Sequence, residues 1–111
     1  MPPSPVHMVI ENGPLRGREI TVTHEGVRIG RSSNNDVVIK DPALSRFHCR
    51  IFFKPGEGLW AMDLGSANQT FINGRVLTEQ RIFPGDRLTL GETSIKVISD
   101  QPDGRQTPTP G

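Results

Sequence analysis

The sequence has little cysteine and no long hydrophobic run. Cys49 is the only cysteine among the 111 residues, so an intrachain disulfide is excluded and a reducing compartment fits. No apolar run approaches the roughly 20 residues that a membrane helix needs. The first residues, Met1-Pro2-Pro3-Ser4-Pro5, lack the basic start and apolar stretch of a signal peptide. We therefore expect a cytoplasmic protein without a membrane partner.

The sequence also lacks an excess of charge of either sign. Its formal net charge is +1, so no strong field favours nucleic acid in bulk, and recognition of an anion must be local. Apolar residues make up 33% of the chain, which is enough for one modest core. Length and composition together predict a single domain.

Signals for metal binding and catalysis are missing as well. The three histidines, His7, His24 and His48, are scattered and show no metal-ligand spacing with cysteine. No Gly-x-x-x-x-Gly-Lys phosphate loop occurs. Ser45 and His48 could form a nucleophile and base, but no Gly-x-Ser-x-Gly elbow accompanies them. We expect no catalytic residue, metal or cofactor, and a small Ser45/His48 hydrolase is the remote alternative.

Short β-type runs occur throughout the chain, and no segment shows a helical period. Arg18–Thr23 alternates, with Ile20 and Val22 on one face. Asn73-Gly74 is the commonest pair of a type I′ hairpin, because both central residues need positive φ. The other strand candidates are Val6–Ile10, Val27–Ile29, Val37–Ile39, His48–Lys54, Leu59–Leu64, Phe71-Ile72, Val76-Leu77, Arg87–Leu90 and Thr93–Ser99.

These runs predict an all-β fold. About ten short strands separated by frequent turns are typical of an antiparallel β-sandwich rather than a parallel α/β sheet. The 12 glycines and 10 prolines leave little room for a helix. Asp63 and Asp86 are predicted to shape turns rather than to form an acid–base pair. We expect the sandwich to span residues 6–99, with flexible ends at residues 1–5 and at the proline-rich residues 100–111.

Three polar segments stand at the ends of predicted strands. They are Gly30-Arg31, Leu44-Ser45-Arg46-Phe47-His48 and Ser66-Ala67-Asn68-Gln69-Thr70. Arginines, a serine hydroxyl and an asparagine amide brought together by such loops would form a pocket rich in hydrogen-bond donors. A phosphate carried on a peptide suits that pocket best.

The order and spacing of these segments resemble the forkhead-associated (FHA) domain family over roughly residues 8–98. The resemblance rests on Gly30-Arg31, Ser45-Arg46-x-His48 and Asp63-x-x-Ser66-x-Asn68-x-Thr70-x-x-Asn73-Gly74. It extends to Asn35-Asp36-Val37 and to Pro84-Gly85-Asp86 before Leu90-Gly91. It implies a β-sandwich of about eleven strands in two sheets. It also implies a non-catalytic reader of phosphothreonine whose loops at one end grip an extended phosphopeptide.

The resemblance also assigns roles to individual residues. Arg31 and Ser45 match phosphate ligands, and Arg46 matches a position often used as a further one. Asn68 matches the asparagine that hydrogen-bonds the backbone of the bound peptide. The residues that match loop-shaping positions are Gly30, His48 and Asn73.

The sequence departs from the family pattern at two positions of the third polar segment. Ala67 stands where a serine or threonine commonly helps to hold the phosphate, which leaves its backbone N–H as the donor expected there. Gln69 stands where the family usually has glycine. If that position needs positive φ, Gln69 costs on the order of 1 kcal/mol.

The expected partners are a phosphothreonine-containing protein or peptide and the upstream Ser/Thr kinase that phosphorylates it, with the chain itself a monomer. A phospho-independent scaffold domain of the same fold is the alternative. Thr107 and Thr109, each followed by proline, suggest that a phosphorylated tail could bind a neighbouring copy, although a proline-rich linker explains the tail as well.

Overall fold

The computed structural model describes residues 6–98, and within this range the chain forms eleven β-strands and no helix. The strands are β1 (Val6–Ile10), β2 (Glu19–Val22), β3 (Val27–Gly30), β4 (Val37–Val38), β5 (Cys49–Lys54), β6 (Gly58–Asp63), β7 (Thr70–Ile72), β8 (Arg75–Leu77), β9 (Glu79–Arg81), β10 (Arg87–Leu90) and β11 (Thr93–Val97). No helix of the described range is long and apolar enough to cross a membrane. The predicted ends, residues 1–5 and 100–111, lie outside the described residues.

The strands form two sheets that pack as a sandwich, which confirms the predicted fold class. One sheet has six strands in the order β2-β1-β11-β10-β7-β8, and the other has five in the order β4-β3-β5-β6-β9. All pairings of the described strands are antiparallel except that of β3 and β4, which run parallel with Ile29 opposite Val37. The six residues between Gly30 and Val37 return the chain so that β4 runs beside β3 in the same direction.

The core lies between the two sheets and follows the alternation of the strands. In β1, Val6, Met8 and Ile10 are buried, while the residues between them are half-buried. In β5, Cys49 and Ile51 face the core and Arg50 faces solvent. This pattern of period two holds each strand in one register, because a slip of one residue would expose its whole apolar face.

The turns confirm the sequence expectations at several points. Asn73 and Gly74 have φ of 50° and 85°, as a type I′ hairpin between β7 and β8 requires. Asp63 accepts hydrogen bonds from the N–H groups of Gly65 and Ser66, both at 3.0 Å. Asp86 accepts one from the N–H of Phe83 at 2.8 Å. Both carboxylates therefore shape turns.

The loops that follow β3, β4 and β6 meet at one end of the sandwich. The N–H groups of Arg31 and Ser32 donate to the carbonyls of Ser45 and Arg46, both at 3.1 Å, which joins the first two loops. The turn between β10 and β11 closes the same end, since Gly91 packs against Ala43. The three polar segments of the sequence are thus brought to a common rim.

Candidate functional site

Gly30 allows the first two loops of the rim to approach each other. A Cβ atom at this position would overlap the carbonyl oxygen of Arg46 and lie 2.8 Å from Nδ2 of Asn35. Gly30 is not in the left-handed region, so the requirement for glycine here is purely steric. The position was predicted to shape the loop, and its surroundings fit that role.

Arg31 is exposed at the start of the β3–β4 loop and is oriented by a single side-chain contact. Its Nε donates to the carbonyl oxygen of Leu44 at 3.0 Å. Its two terminal guanidinium nitrogens make no hydrogen bond to any residue of the described range. That contact restrains the guanidinium and leaves its two terminal nitrogens for a ligand with paired oxygens.

Ser45 is held by the third polar segment. The backbone N–H of Ala67 donates to Oγ of Ser45 at 2.9 Å, which joins the β6–β7 loop to the β4–β5 loop. Because Oγ accepts this bond, the hydroxyl hydrogen of Ser45 is free to donate to a ligand. The N–H that Ala67 was expected to offer to a phosphate is already used by Ser45, so Ala67 orients the serine instead.

Asn68 lies next to this contact and is exposed. Its Nδ2 donates to the carbonyl oxygen of Ala43 at 2.8 Å. The amide oxygen and the second amide hydrogen have no partner within residues 6–98, so both can bond to an extended peptide backbone. Gln69, the next residue, has φ of 68°, so the strain expected of a non-glycine residue at this position is present.

His48 is completely buried beneath the rim and connects two of its loops. The backbone N–H of Ser45 donates to Nδ1 at 3.1 Å. Nε2 lies 2.9 Å from the carbonyl oxygen of Gln69. This network assigns the proton to Nε2, because Nδ1 must accept and a carbonyl can only accept. Neither nitrogen contacts the Ser45 hydroxyl, so the geometry of a nucleophile–base pair is not formed.

Arg46 and Lys40 are the two further cations of the rim. Arg46 is exposed, and its side chain makes no hydrogen bond to the described residues. Lys40, which the sequence analysis did not single out, places Nζ 3.3 Å from the carbonyl oxygen of Arg31. A shallow hollow of about 440 Å³ is lined by Arg31, Lys40 and Pro42. Lys40 therefore adds positive charge beside Arg31.

Two further residues anchor the rim, although neither was predicted as a site residue. Asn35 is buried, and its Nδ2 donates to the carbonyls of Ser32 at 2.8 Å and Arg46 at 2.7 Å. Asp41 accepts hydrogen bonds from three groups: the Ala43 N–H at 2.8 Å, the Glu92 N–H at 2.8 Å and the Thr93 hydroxyl at 2.9 Å. The family landmark Asn35-Asp36 pointed to the first residue, whereas nothing near Asp41 in sequence indicates its partners.

Hydrogen bonding lowers the pKa of two carboxylates that support the rim. Partial burial raises the pKa of Asp41, but the donors from Ala43, Glu92 and Thr93 outweigh it and hold the pKa below its usual value. Burial likewise raises the pKa of Asp63, and the hydroxyls of Ser66 and Thr70 together with two backbone N–H groups hold it below its usual value. Both groups stay ionised and keep the loops in place at neutral pH.

Asn73 is the one predicted site residue that the fold does not bring to the rim. It lies in the β7–β8 hairpin, at the opposite end of β7 from Asn68. Its side chain bonds Asp86 and the N–H of Arg87, both at 3.0 Å. Asn73 does shape a loop, but that loop belongs to the other end of the sandwich.

The described residues contain no group of three or more His, Cys, Asp and Glu side chains that could hold a metal ion. The Cys49 thiol is buried in the core, and desolvation raises its pKa to about 12. Its sulfur therefore carries no nucleophilic thiolate at neutral pH.

Comparison with known proteins adds to this geometry. The FHA domain pattern matches residues 27–91. "FHA domain-containing protein FhaB" of Mycobacterium tuberculosis is 32% identical over 92 residues, which are 82% of this chain and 59% of that protein. "ABC transporter ATP-binding/permease protein Rv1747" of the same species is 38% identical over 74 residues, which are 67% of this chain and 8% of that protein. The chain thus spans little more than half of FhaB and a small part of Rv1747.

Solved structures of FHA domains also superpose on this chain. A chain from a structural and functional analysis of phosphothreonine-dependent FHA domain interactions superposes with a TM-score of 0.77 and 28% identity, covering 85% of this chain and 95% of that one. The FhaA FHA domain, solved in complex with the intracellular domain of Rv3910, superposes with a TM-score of 0.75 and 28% identity, covering 83% and 98%.

Proposed function

Because this chain belongs to the FHA domain family, we propose that it is a non-catalytic module that binds phosphothreonine-containing peptides at the rim. The observation that supports this best is the pairing of Arg31 and Ser45. Arg31 has two free terminal nitrogens and Ser45 has a free hydroxyl hydrogen, and the contacts to Leu44 and Ala67 orient both side chains. The receptor for an anion exists before the ligand arrives.

The phosphate is held by charge-assisted hydrogen bonds. The planar guanidinium of Arg31 offers a fork that fits two phosphate oxygens, and Ser45 donates to a third. Each hydrogen bond to a charged group contributes about 1.5–3 kcal/mol. Arg46 adds positive charge at the edge of the site, which offsets the hydroxyl that position 67 lacks.

Asn68 binds the peptide rather than the phosphate. Its free amide oxygen and amide hydrogen match the N–H and C=O groups of an extended chain, while its bond to Ala43 fixes the side chain. Gly30 and His48 hold the loops that carry these groups. The site therefore binds both the phosphorylated residue and the peptide backbone beside it.

We expect only a modest preference for phosphothreonine over phosphoserine. Burying the extra methyl group contributes on the order of 0.8 kcal/mol, which is about a four-fold difference in affinity. A glutamate in place of phosphothreonine binds poorly, because a carboxylate carries less charge and fewer acceptor oxygens than a phosphoryl group.

The module acts downstream of a Ser/Thr kinase that phosphorylates the partner. We place it in the cytoplasm as a monomer that binds neither nucleic acid nor membrane. The net charge of +1 supports the lack of a nucleic-acid partner, and the buried thiol of Cys49 suits a reducing compartment. Phosphorylation of Thr107 and mass measurement in solution test whether the tail binds a second copy.

Calorimetry with a phosphothreonine peptide and its unphosphorylated counterpart tests the proposal. We expect measurable binding only of the phosphorylated peptide, and a loss of ten-fold or more in the Arg31→Ala variant. Arg16→Ala is the matched control, since Arg16 is an exposed arginine of the β1–β2 loop. Equal binding of the two peptides would instead show a phospho-independent scaffold.

A further inference from the structure

The outer face of the five-stranded sheet has no role in the site above. Residues 6–98 form no helix that could cover it. The strand registers bring together a set of outward side chains that we call the cationic face. Its members are Arg28, Arg50, Phe52, Lys54, Trp60, Met62, Glu79 and Arg81.

The cationic face carries an excess of positive charge. Lys54 pairs with Glu79 at 3.0 Å. Arg28, Arg50 and Arg81 have no carboxylate within 4.0 Å among the described residues. Because the whole chain has a net charge of only +1, this excess is local to one side of the sandwich.

Two further carboxylates stand at the β3 edge of the cationic face. Glu25 and Asp36 line a hollow of about 520 Å³ together with Arg28 and Arg50. One oxygen of Asp36 accepts a hydrogen bond from the backbone N–H of Arg28 at 2.9 Å, so this carboxylate holds the strand edge. Farther from the edge, Arg50 and Arg81 remain for a partner.

Aromatic rings form an apolar centre between these cations. Phe52 and Trp60 lie directly opposite each other on β5 and β6, and both are half-buried. The guanidinium of Arg50 lies 4.6 Å from the centre of the Phe52 ring, and Nζ of Lys54 lies 3.6 Å from that of Trp60. The rings thus hold both cations at the surface of the sheet.

Arg81 is held at the other edge of the cationic face. Its guanidinium lies 4.9 Å from the centre of the Phe83 ring. A Cβ atom on Gly58 would lie 2.9 Å from Nε of Arg81, so the glycine leaves the space that this side chain occupies. Arg81 is therefore oriented although it is exposed.

These contacts distinguish between two classes of anionic partner. Single-stranded nucleic acid binds by stacking its bases on the faces of aromatic rings, and cations already lie over Phe52 and Trp60. Carboxylates instead pair with oriented guanidinium groups. Arginine and tryptophan are also enriched at the centres of protein interfaces. The cationic face therefore fits an acidic protein better than a nucleic acid.

We propose that the cationic face is a second interaction surface, which binds an acidic segment of a protein partner without any phosphate. Carboxylates of that segment pair with Arg50 and Arg81, and its apolar side chains pack on Trp60 and Met62. This binding does not depend on the proposed function, because the rim lies at the strand ends whereas these side chains project from the sheet itself.

Trp60 makes the proposal directly testable, since it is the only tryptophan of the chain and lies within the cationic face. The probe is a peptide of alternating glutamate and leucine, compared with its lysine-for-glutamate counterpart. We expect the glutamate peptide alone to change the Trp60 fluorescence, and the affinity to fall as salt is added. Arg50→Glu and Arg81→Glu should each weaken binding about ten-fold or more, whereas Arg16→Glu, in the β1–β2 loop, should not.

The phosphothreonine peptide provides the second readout. Both charge-reversal variants should bind it as the parent chain does, which also shows that they fold. If one of them does not fold in urea-unfolding measurements, the other decides.

Three results would overturn the proposal: no response of Trp60 to the glutamate peptide, equal affinity for that peptide in the folded charge-reversal variants, or tighter binding of oligothymidine than of the peptide. The last result would assign the face to nucleic acid. Failure of the parent chain to bind the phosphothreonine peptide would overturn the proposed function alone, because the glutamate probe carries no phosphate.

Discussion

The backbone N–H of Ala67 lies 2.9 Å from the hydroxyl oxygen of Ser45, although the two residues belong to different loops. This bond holds the serine oxygen and leaves its hydroxyl hydrogen free to donate. It also explains how a site without a hydroxyl at position 67 retains an oriented donor for a phosphate.

Ala67→Thr should strengthen phosphopeptide binding. The added hydroxyl supplies one more hydrogen bond to a charged group, which contributes about 1.5–3 kcal/mol, or roughly ten-fold or more in affinity. The substitution leaves the N–H that holds Ser45 in place. Calorimetry with the phosphothreonine peptide measures the change, and Ala67→Val is the control because it adds similar bulk without a donor. Equal gains in both variants would contradict a hydrogen-bonding cause.

Gln69→Gly should stabilise the fold. Gln69 has φ of 68°, and glycine adopts this conformation without the Cβ penalty, so we expect about 0.5–1 kcal/mol of extra stability in urea unfolding. Gln80→Gly is the matched control. It lies in β9, where glycine should instead destabilise by about 0.5–1 kcal/mol. A loss of stability at both positions would argue against strain at Gln69.

Gly30→Ala should destabilise the rim and weaken binding. The new Cβ would overlap the carbonyl of Arg46, and overpacking of this kind costs about 1–3 kcal/mol or more. Gly56→Ala provides the comparison. Gly56 has φ of +74° with nothing near its Cβ position, so it reports strain of the backbone alone. Phosphopeptide affinity should fall in the Gly30 variant and stay constant in the Gly56 variant.

Stability should decline in acid through Asp41 and Asp63. Their pKa values are lower in the folded state than their usual value, so the folded state binds fewer protons than the unfolded one. Their contribution is complete above the unfolded pKa of about 4 and is lost as pH falls through the folded pKa. Urea midpoints measured across this range should drop, and the drop should be smaller in Asp41→Asn. An equally steep drop in that variant would exclude Asp41 as a cause.

Cys49 should resist thiol reagents until the protein unfolds. Its pKa of about 12 and its complete burial keep the thiol protonated and inaccessible. Labelling with a disulfide reagent at neutral pH should follow the unfolded fraction in urea. Fast labelling of the native protein would contradict the placement of Cys49 in the core.

Local patterns in the sequence were enough to predict most of the fold. Alternating or continuous apolar runs, together with the hairpin signal of Asn73-Gly74, located ten of the eleven strands. The missing strand, β9, is Glu-Gln-Arg at a sheet edge, where no apolar alternation is required. Its place depends on pairing with β6, which a local pattern does not encode.

The candidate site, too, could be predicted only in part from the sequence. Arg31, Ser45 and Asn68 were predicted as ligand-binding residues because their residue types and order match a family pattern. Asp41 and Lys40 were missed because their significance arises only in three dimensions, where Asp41 meets Glu92 and Lys40 approaches Arg31. The role of Ala67 was missed for a related reason, since its contribution is a backbone group whose partner lies in another loop.

The hydrogen bonds from Glu92 and Thr93 to Asp41 cross from one sheet to the other. The rim is therefore built by both sheets, and neither sheet can form it alone. Splitting the chain before β11, or moving its termini to that turn, should abolish recognition even if most strands still assemble. Ligand affinity therefore reports whether the two sheets of the sandwich are packed together.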